Sequence, residues 1–559
     1  MTEIQKKYSK LSLKKILGLI LMIITLIIII TAPDIKLLYS KCPCTKIKNR
    51  NIRNFVMKDI NRKKLLDSCL SPLDSFEYYN NLYKSTIKAI CDLEDGKYIT
   101  KQDKNKLFNL LKRGNILSLK QDLKTISLNI VDSESLSTKL FLDGLVNELL
   151  FLDKQAEKSY ILAIENNKFV GKYYIQLAKL YNKNCKYKDS INSLLKVSSI
   201  LNNNNDRTNI EDVYMFLGDL YFKTRDYENA LVYYSNNLIT IDAKNKNTEK
   251  HNVVTKLGHI MMIRGNYFEA INYYKYALSL KSKKMSKDAE VRLLLNLSQA
   301  YYKYGNYING LKFAKSASQK SRQIRDKLLH SKAKYNECLN YEYLNDSNKA
   351  QRSCSMALKD GYQYITENKT DIDGYINIGE MLDYSTYVRN PKLAKTHFEK
   401  ALGMVGKDVL QEISILEQIM LIDAYSSSFT NVPQQYKYLK NLYKKHDIES
   451  GCCNVVLNAF VKERMGSRDA ERDYLMAEMD LKNNYSQLAT LYSYLADYYK
   501  NNGMLKKALI YAKKFHELNT QIYRYDHHYV KYSLEQVESI TKLIEQKDSA
   551  KKQIRNVKK

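Results

Sequence analysis

Five stretches of this chain, spaced forty residues apart, carry the same residue classes at the same places. A repeat of that length restricts the fold to stacked, near-identical units. One column holds only small residues: Ala178, Gly218, Gly258, Ser298 and Cys338. Three positions later stand Tyr181, Tyr221, Met261, Tyr301 and Tyr341. Twelve positions after the first column come Ser190, Ala230, Ala270, Gly310 and Ala350. Four further on are Leu194, Tyr234, Tyr274, Ala314 and Cys354, and three beyond those Val197, Asn237, Ala277, Ala317 and Ala357. Apolar residues within each unit recur at spacings of three and four, which predicts two amphipathic helices per unit. Between the two helices lie turns such as Arg264-Gly265-Asn266-Tyr267 and Tyr304-Gly305-Asn306-Tyr307, with Thr224-Arg225-Asp226-Tyr227 in the same place. Gly or Asn is expected to end the first helix and Tyr to begin packing the second.

Composition agrees with an all-α chain. Five Pro and 18 Gly among 559 residues are too few for the tight turns of a β-sandwich or barrel. With 44% hydrophobic and 27% charged residues, wholesale disorder is excluded.

The columns resemble the tetratricopeptide repeat, whose pattern runs aromatic, Leu-Gly, Tyr, then Ala, aromatic, Ala. Tyr214, Leu217, Gly218, Tyr221, Ala230 and Tyr234 match it, as do Leu257, Gly258, Gly265, Ala270, Tyr274 and Ala277. The period departs from the family's thirty-four, and the usual terminal Pro is missing. Longer helices or loops would absorb the difference, as in the elongated repeats of kinesin light chains and bacterial peptide-sensing regulators. The pattern extends outward through Gly144, Ala156, Tyr160 and Ala163, and later through Gly379, Leu382, Ala394, Phe398 and Ala401. A degenerate unit spans about 415–447, and two further units follow at Leu457–Ala477 and Leu495–Phe515. The resemblance implies an α-α superhelix, a solenoid of about ten helix pairs over 136–521. Residues 33–135 form a helical N-terminal region, a cap or eroded repeats, and 522–559 a capping helix with a Lys-rich tail.

One N-terminal segment has a different character. Residues 16–32, Ile16 through Ala32, contain no charge and cover about 25 Å as a helix, near the thickness of a hydrocarbon core. Lys6, Lys7, Lys10, Lys14 and Lys15 precede it, in a basic tail over 1–15. It reads as an uncleaved transmembrane signal anchor, because Pro33 follows Ala32 and Lys41 precedes Cys42, so neither cleavage pattern is met. Basic residues flank both sides and do not fix the orientation. A short cytoplasmic N-terminus with the array outside the cytoplasm is the favoured arrangement, periplasmic in a bacterium.

Catalytic signatures are missing. No H-E-x-x-H, G-x-S-x-G, P-loop or G-x-G-x-x-G occurs, so neither an enzyme nor a cofactor is expected. The nine cysteines include Cys42 and Cys44 around Pro43, but no second pair completes a zinc set. Cys185, Cys338 and Cys354 stand isolated along the chain. The net charge of +30 follows a general Lys bias spread over the whole length, so nucleic acid is not the expected partner.

In tetratricopeptide proteins the second, fifth, ninth and thirteenth places of each unit face a concave groove that takes peptides or helices. Across the five central units these twenty places hold Lys172, Lys179, Lys183, Lys223, Arg292, Lys303 and Lys332 against two acids, Asp212 and Asp219. That basic excess points to an acidic protein or peptide ligand. Asn296 and Lys332 also match two of the five positions of a chaperone-type carboxylate clamp, where Thr255, His259 and Asn336 replace the other three. The expected function is a membrane-tethered scaffold or adaptor, acting in assembly or chaperoning of a membrane or envelope complex. A peptide-sensing regulator and an organellar import or chaperone-docking receptor are the alternatives.

Overall fold

A computed structural model describes residues 72–557, apart from 96–98, 126–131, 204–209, 244–246, 281–284, 426–428, 446–454, 468 and 525–526. Every regular element among the described residues is helical. The chain divides into two compact units at Asn203/Asn204. The first unit holds α1 (Pro72–Asp95), α2 (Lys101–Lys112), α3 (Ile116–Thr125), α4 (Ser133–Leu149), α5 (Asp153–Asn166), α6 (Gly171–Lys183) and α7 (Tyr187–Asn203).

The second unit runs in helix pairs. These are α8 (Ile210–Lys223) with α9 (Tyr227–Ala243), α10 (Asn247–Arg264) with α11 (Tyr267–Ser279), and α12 (Lys287–Tyr304) with α13 (Tyr307–Ile324). Next come α14 (Lys327–Tyr343) with α15 (Ser347–Glu367), α16 (Ile372–Tyr384) with α17 (Pro391–Leu402), and α18 (Val409–Tyr425) with α19 (Val432–Lys445). The last are α20 (Val455–Arg464) with α21 (Ala470–Asp480) and α22 (Tyr485–Asn501) with α23 (Leu505–Ile522), before a final helix α24 (His528–Val557). The segment 16–32, expected from the sequence to be a membrane anchor, lies outside the described residues, as do Cys42 and Cys44. No helix among the described residues is long and apolar enough to cross a membrane.

The small-residue column explains how each pair closes. The Tyr274 ring lies over Gly258, so that a Cβ there would sit 2.6 Å from Cε1. Tyr160 over Gly144, Tyr234 over Gly218 and Phe398 over Gly379 repeat the arrangement. The rings are fully buried, and a tyrosine hydroxyl needs a partner there. Tyr160 donates to Glu148 at 2.7 Å and Tyr234 to Asp219 at 2.6 Å. In the α14/α15 pair the same two columns hold Cys338 and Cys354, and these form a disulfide. Their isolation along the chain is corrected by the fold, because the hairpin brings the two columns face to face.

The turns between paired helices share one left-handed residue. It is Cys185, Arg225, Gly265, Gly305 or Asn345, with φ between 59° and 91°. The side chain of Asn266 or Asn306 then caps the next helix, accepting from the backbone N–H of Glu269 or Asn309. Expectation and structure differ at 185 and 225, where residues with a Cβ adopt the conformation that favours glycine.

These turns meet later parts of the second unit. Lys223 pairs with Asp408 at 2.8 Å, and the Arg225 guanidinium with Glu417 at 3.2 Å on α18. Gly265 packs on Ser486 at the start of α22, and Glu228 accepts from Asn483 at 3.0 Å. The N–H of Arg524 donates to the Tyr304 carbonyl at 3.2 Å, beside Gly305 and His527. The array of the second unit therefore winds until its later helices rest on the turns of its earlier ones.

Candidate functional site

The first helices of the pairs carry the basic places read from the sequence, and the structure gives each a distinct setting. In the first unit, α1 lies antiparallel along α6. Asp92 near its end pairs with Lys172 at 2.8 Å, and Tyr79 near its start accepts from Lys183 at 3.3 Å. Lys183 is buried, pairs with Asp153 at 2.8 Å, and neighbours the fully buried Glu148. These carboxylates and Tyr79 raise its pKa against the opposing effect of burial. Lys179 is half-buried on the same helix. α1, read from sequence only as part of a cap or eroded repeat, thus engages two of the predicted basic places on α6.

In the second unit Lys223 belongs to the contact with Asp408. Arg292 is exposed and pairs with Asp288 one turn back on its own helix at 2.8 Å. The Asn296 amide lies 2.9 Å from His259 Nε2, which joins two neighbouring first helices. Burial and the nearby Lys256 push His259 down to about 4, so its ring is neutral at pH 7. Lys332 is half-buried and lies close enough to Glu380 on α16 to offset part of that carboxylate's raised pKa. Lys303 makes no ion pair with a described residue; its Nζ is 5.9 Å from the Tyr302 ring centre, and its side chain reaches solvent, although crowding by the surrounding protein lowers its pKa.

The basic character ends at α14. One repeat further, the same places on α16 hold Asp373, Ile376, Glu380 and Tyr384. Crowding by the surrounding protein raises the pKa of Glu380 and of Asp383, and pushes the Tyr384 hydroxyl to about 12, although the Glu380 and Tyr384 side chains reach solvent. Tyr335 on α14 is raised by burial first, and then by Glu380 and Glu342. The same repeat places thus pass from Arg292, Lys303 and Lys332 to carboxylates and tyrosine hydroxyls. Sequence reasoning missed Glu380 and Tyr384 by stopping its count of places at Tyr343; one more step from Gly379 reaches both. His528, which lies beside Tyr343, had no such signal, because α24 belongs to no repeat.

Among the described residues no group of His, Cys, Asp and Glu is arranged to hold a metal ion. No family model and no curated protein matches the chain. Similar solved structures include YrrB, described as a TPR protein with an unusual peptide-binding site. It is 17% identical with a TM-score of 0.29, over 36% of this chain and 93% of that one. A tetratricopeptide repeat protein from Parabacteroides merdae is 19% identical with a TM-score of 0.38, over 51% and 98%. The apo form of the quorum sensor NprR from B. thuringiensis is 16% identical with a TM-score of 0.39, over 66% and 99%.

Proposed function

We propose that this chain is a membrane-tethered scaffold that binds acidic protein segments along the inner faces of its first helices. One observation carries the reading. At three of the predicted basic places a carboxylate from elsewhere in the chain pairs with the lysine: Asp92 with Lys172, Asp153 with Lys183, Asp408 with Lys223. The inner face already recognises the chain's own acidic segments by this chemistry. Arg292, Lys303 and Lys332 are the basic places left for a partner. Exposed pairs contribute only about 0.2–1 kcal/mol each, so the effect is collective and falls with salt.

The apolar run at 16–32 is the proposed anchor, with the array outside the cytoplasm. The Cys338–Cys354 disulfide supports an oxidising compartment, where such bonds persist. That observation weighs against the cytosolic alternatives, a peptide-sensing regulator or a cytosol-facing import receptor.

Proximity labelling with the full-length protein in its own host tests the binding reading. Reversing Arg292, Lys303 and Lys332 together to Glu should remove the labelled partners, whereas Lys312→Glu with Lys315→Glu on the second helix should not. Equal loss from both sets would reject a groove in favour of non-specific charge attraction. Deleting residues 1–33 should release the protein from membranes, and protease protection of the full-length chain should report the array's side.

A further inference from the structure

We propose that Ser318, His330 and Asp360 form a hydrolytic triad that cleaves small esters carrying a negative charge. This activity is separate from the docking of protein segments, and neither depends on the other.

Three consecutive helices supply the triad. His330, near the start of α14, lies between the other two. Its Nδ1 is 2.6 Å from the Asp360 carboxylate on α15, and its Nε2 is 3.2 Å from the Ser318 hydroxyl on α13. An ionised carboxylate only accepts, so Nδ1 holds the proton that faces it. The neutral ring then offers its Nε2 lone pair, and Ser318 is the donor. A hydroxyl donating to an imidazole that a carboxylate orients is the arrangement that makes a serine nucleophilic. A helix serine has a simpler partner in its own backbone. Ser193 and Ser321 donate to carbonyls four and three residues back. Ser318 bonds His330 instead.

The serine faces a cavity. Ser318 lines a space of about 430 Å³ between α13 and α14, with Lys315, Gln319, Arg322 and Lys334 around it. Lys315, Gln319 and Arg322 are exposed, so the cavity reaches solvent although Ser318 itself is nearly buried. Lys334 is paired with Glu337 at 2.8 Å, whereas Arg322 makes no ion pair with a described residue. Lys315 and Arg322 stand one turn before and one turn after the serine on the same helix. Their charge draws an anionic substrate. Arg322 and the Gln319 amide are the donors for the oxyanion, since the backbone N–H groups inside α13 are spent on the helix.

The chemistry needs only the ester and water. Ser318 Oγ attacks the ester carbonyl carbon, and its proton passes to His330 Nε2. The C–O bond to the alcohol breaks, and His330 gives the proton to the leaving oxygen. Water then loses a proton to His330 and attacks the acyl-serine. The acid leaves, and Ser318 takes the proton back. Asp360 is a positioning residue that holds the ring in place throughout. The local motif of a catalytic serine does not report this site, because its members lie on three helices at separations of 12 and 30 residues.

The test uses the purified full-length chain in detergent. A fluorophosphonate probe should label Ser318, as located by peptide mass spectrometry, and the label should vanish in Ser318→Ala. Mono-p-nitrophenyl succinate should be hydrolysed, and p-nitrophenyl acetate more slowly. Ser318→Ala and His330→Gln should lower kcat by about a hundredfold or more. Asp360→Asn should lower kcat with KM unchanged, and Asp360→Glu should restore part of it. Arg322→Met should raise KM for the succinate ester alone. Because the label is sought on the parent chain, a variant that folds poorly leaves the result readable. No label at Ser318, or unchanged hydrolysis in Ser318→Ala, would reduce the triad to a brace between three helices and overturn the proposal.

Discussion

A Cβ on Gly305 would lie 2.7 Å from Cδ2 of His527, although the two residues belong to different turns of the winding array. Left-handed backbone alone does not require glycine in these turns, since Cys185, Arg225 and Asn345 adopt it with a side chain. Glycine at 305, and at 265 where a Cβ would meet the Ser486 nitrogen at 2.8 Å, is explained by the helix that rests on the turn.

Gly305→Ala should therefore cost more than Gly503→Ala. Both positions have positive φ, so each substitution carries about 1–2 kcal/mol of backbone strain. Nothing lies within 4 Å of a Cβ at 503. At 305 the collision should add about 1–3 kcal/mol. Denaturant unfolding of the two variants compares them directly, and equal losses would remove His527 from that contact.

Gly258→Ala should destabilise by about 1–3 kcal/mol through its collision with Tyr274, and Gly258→Trp by more. The repeat containing Ala178 has Leu194 in the ring position, so Gly258→Ala with Tyr274→Leu should cost less than the sum of the single changes. A double-mutant cycle measures that coupling; strict additivity would contradict the packing.

His259 makes a pH prediction. Its pKa falls from 6.5 to about 4 in the folded chain, chiefly by burial and then by Lys256. The unfolded state then binds the proton more readily, and stability present above pH 6.5 is lost as pH falls towards 4. The loss is on the order of 3 kcal/mol, at about 1.4 kcal/mol per pH unit. Urea unfolding between pH 7 and 4.5 should show a shallower acid slope in His259→Gln. Identical slopes would mean that the ring is not held neutral.

The disulfide can be tested without disturbing its surroundings. Ser298 and Ala314 fill the equivalent columns in the preceding repeat, so Cys338→Ser with Cys354→Ala keeps the packing and removes only the bond. With a sequence separation of 16, the chain-entropy estimate is a loss of about 3 kcal/mol. Reduction of the parent should cost at least as much as the double variant, since it also opens the disulfide of Cys185. Indifference to both would mean that the bond does not constrain the unfolded chain.

The sequence by itself determined the helix pairs, their turns and the residues that face one another within a pair. Gly258 and Tyr274 stand sixteen residues apart on one hairpin, and a helical period with a fixed repeat places such neighbours; Cys338 and Cys354 occupy the same two columns, yet read along the chain they stood isolated until the fold paired them. It also placed the lysines on the first helices, because place in a repeat is counted along the chain. Which lysines remain available was decided only by tertiary structure. Asp92 reaches Lys172 across 80 residues of sequence, and Asp408 reaches Lys223 through the winding of the second unit. No local period reports how far such an array turns before it meets itself, since small rotations add up over many units. For the same reason His528, outside every repeat, came to lie beside Tyr343 without any signal in the residues around it.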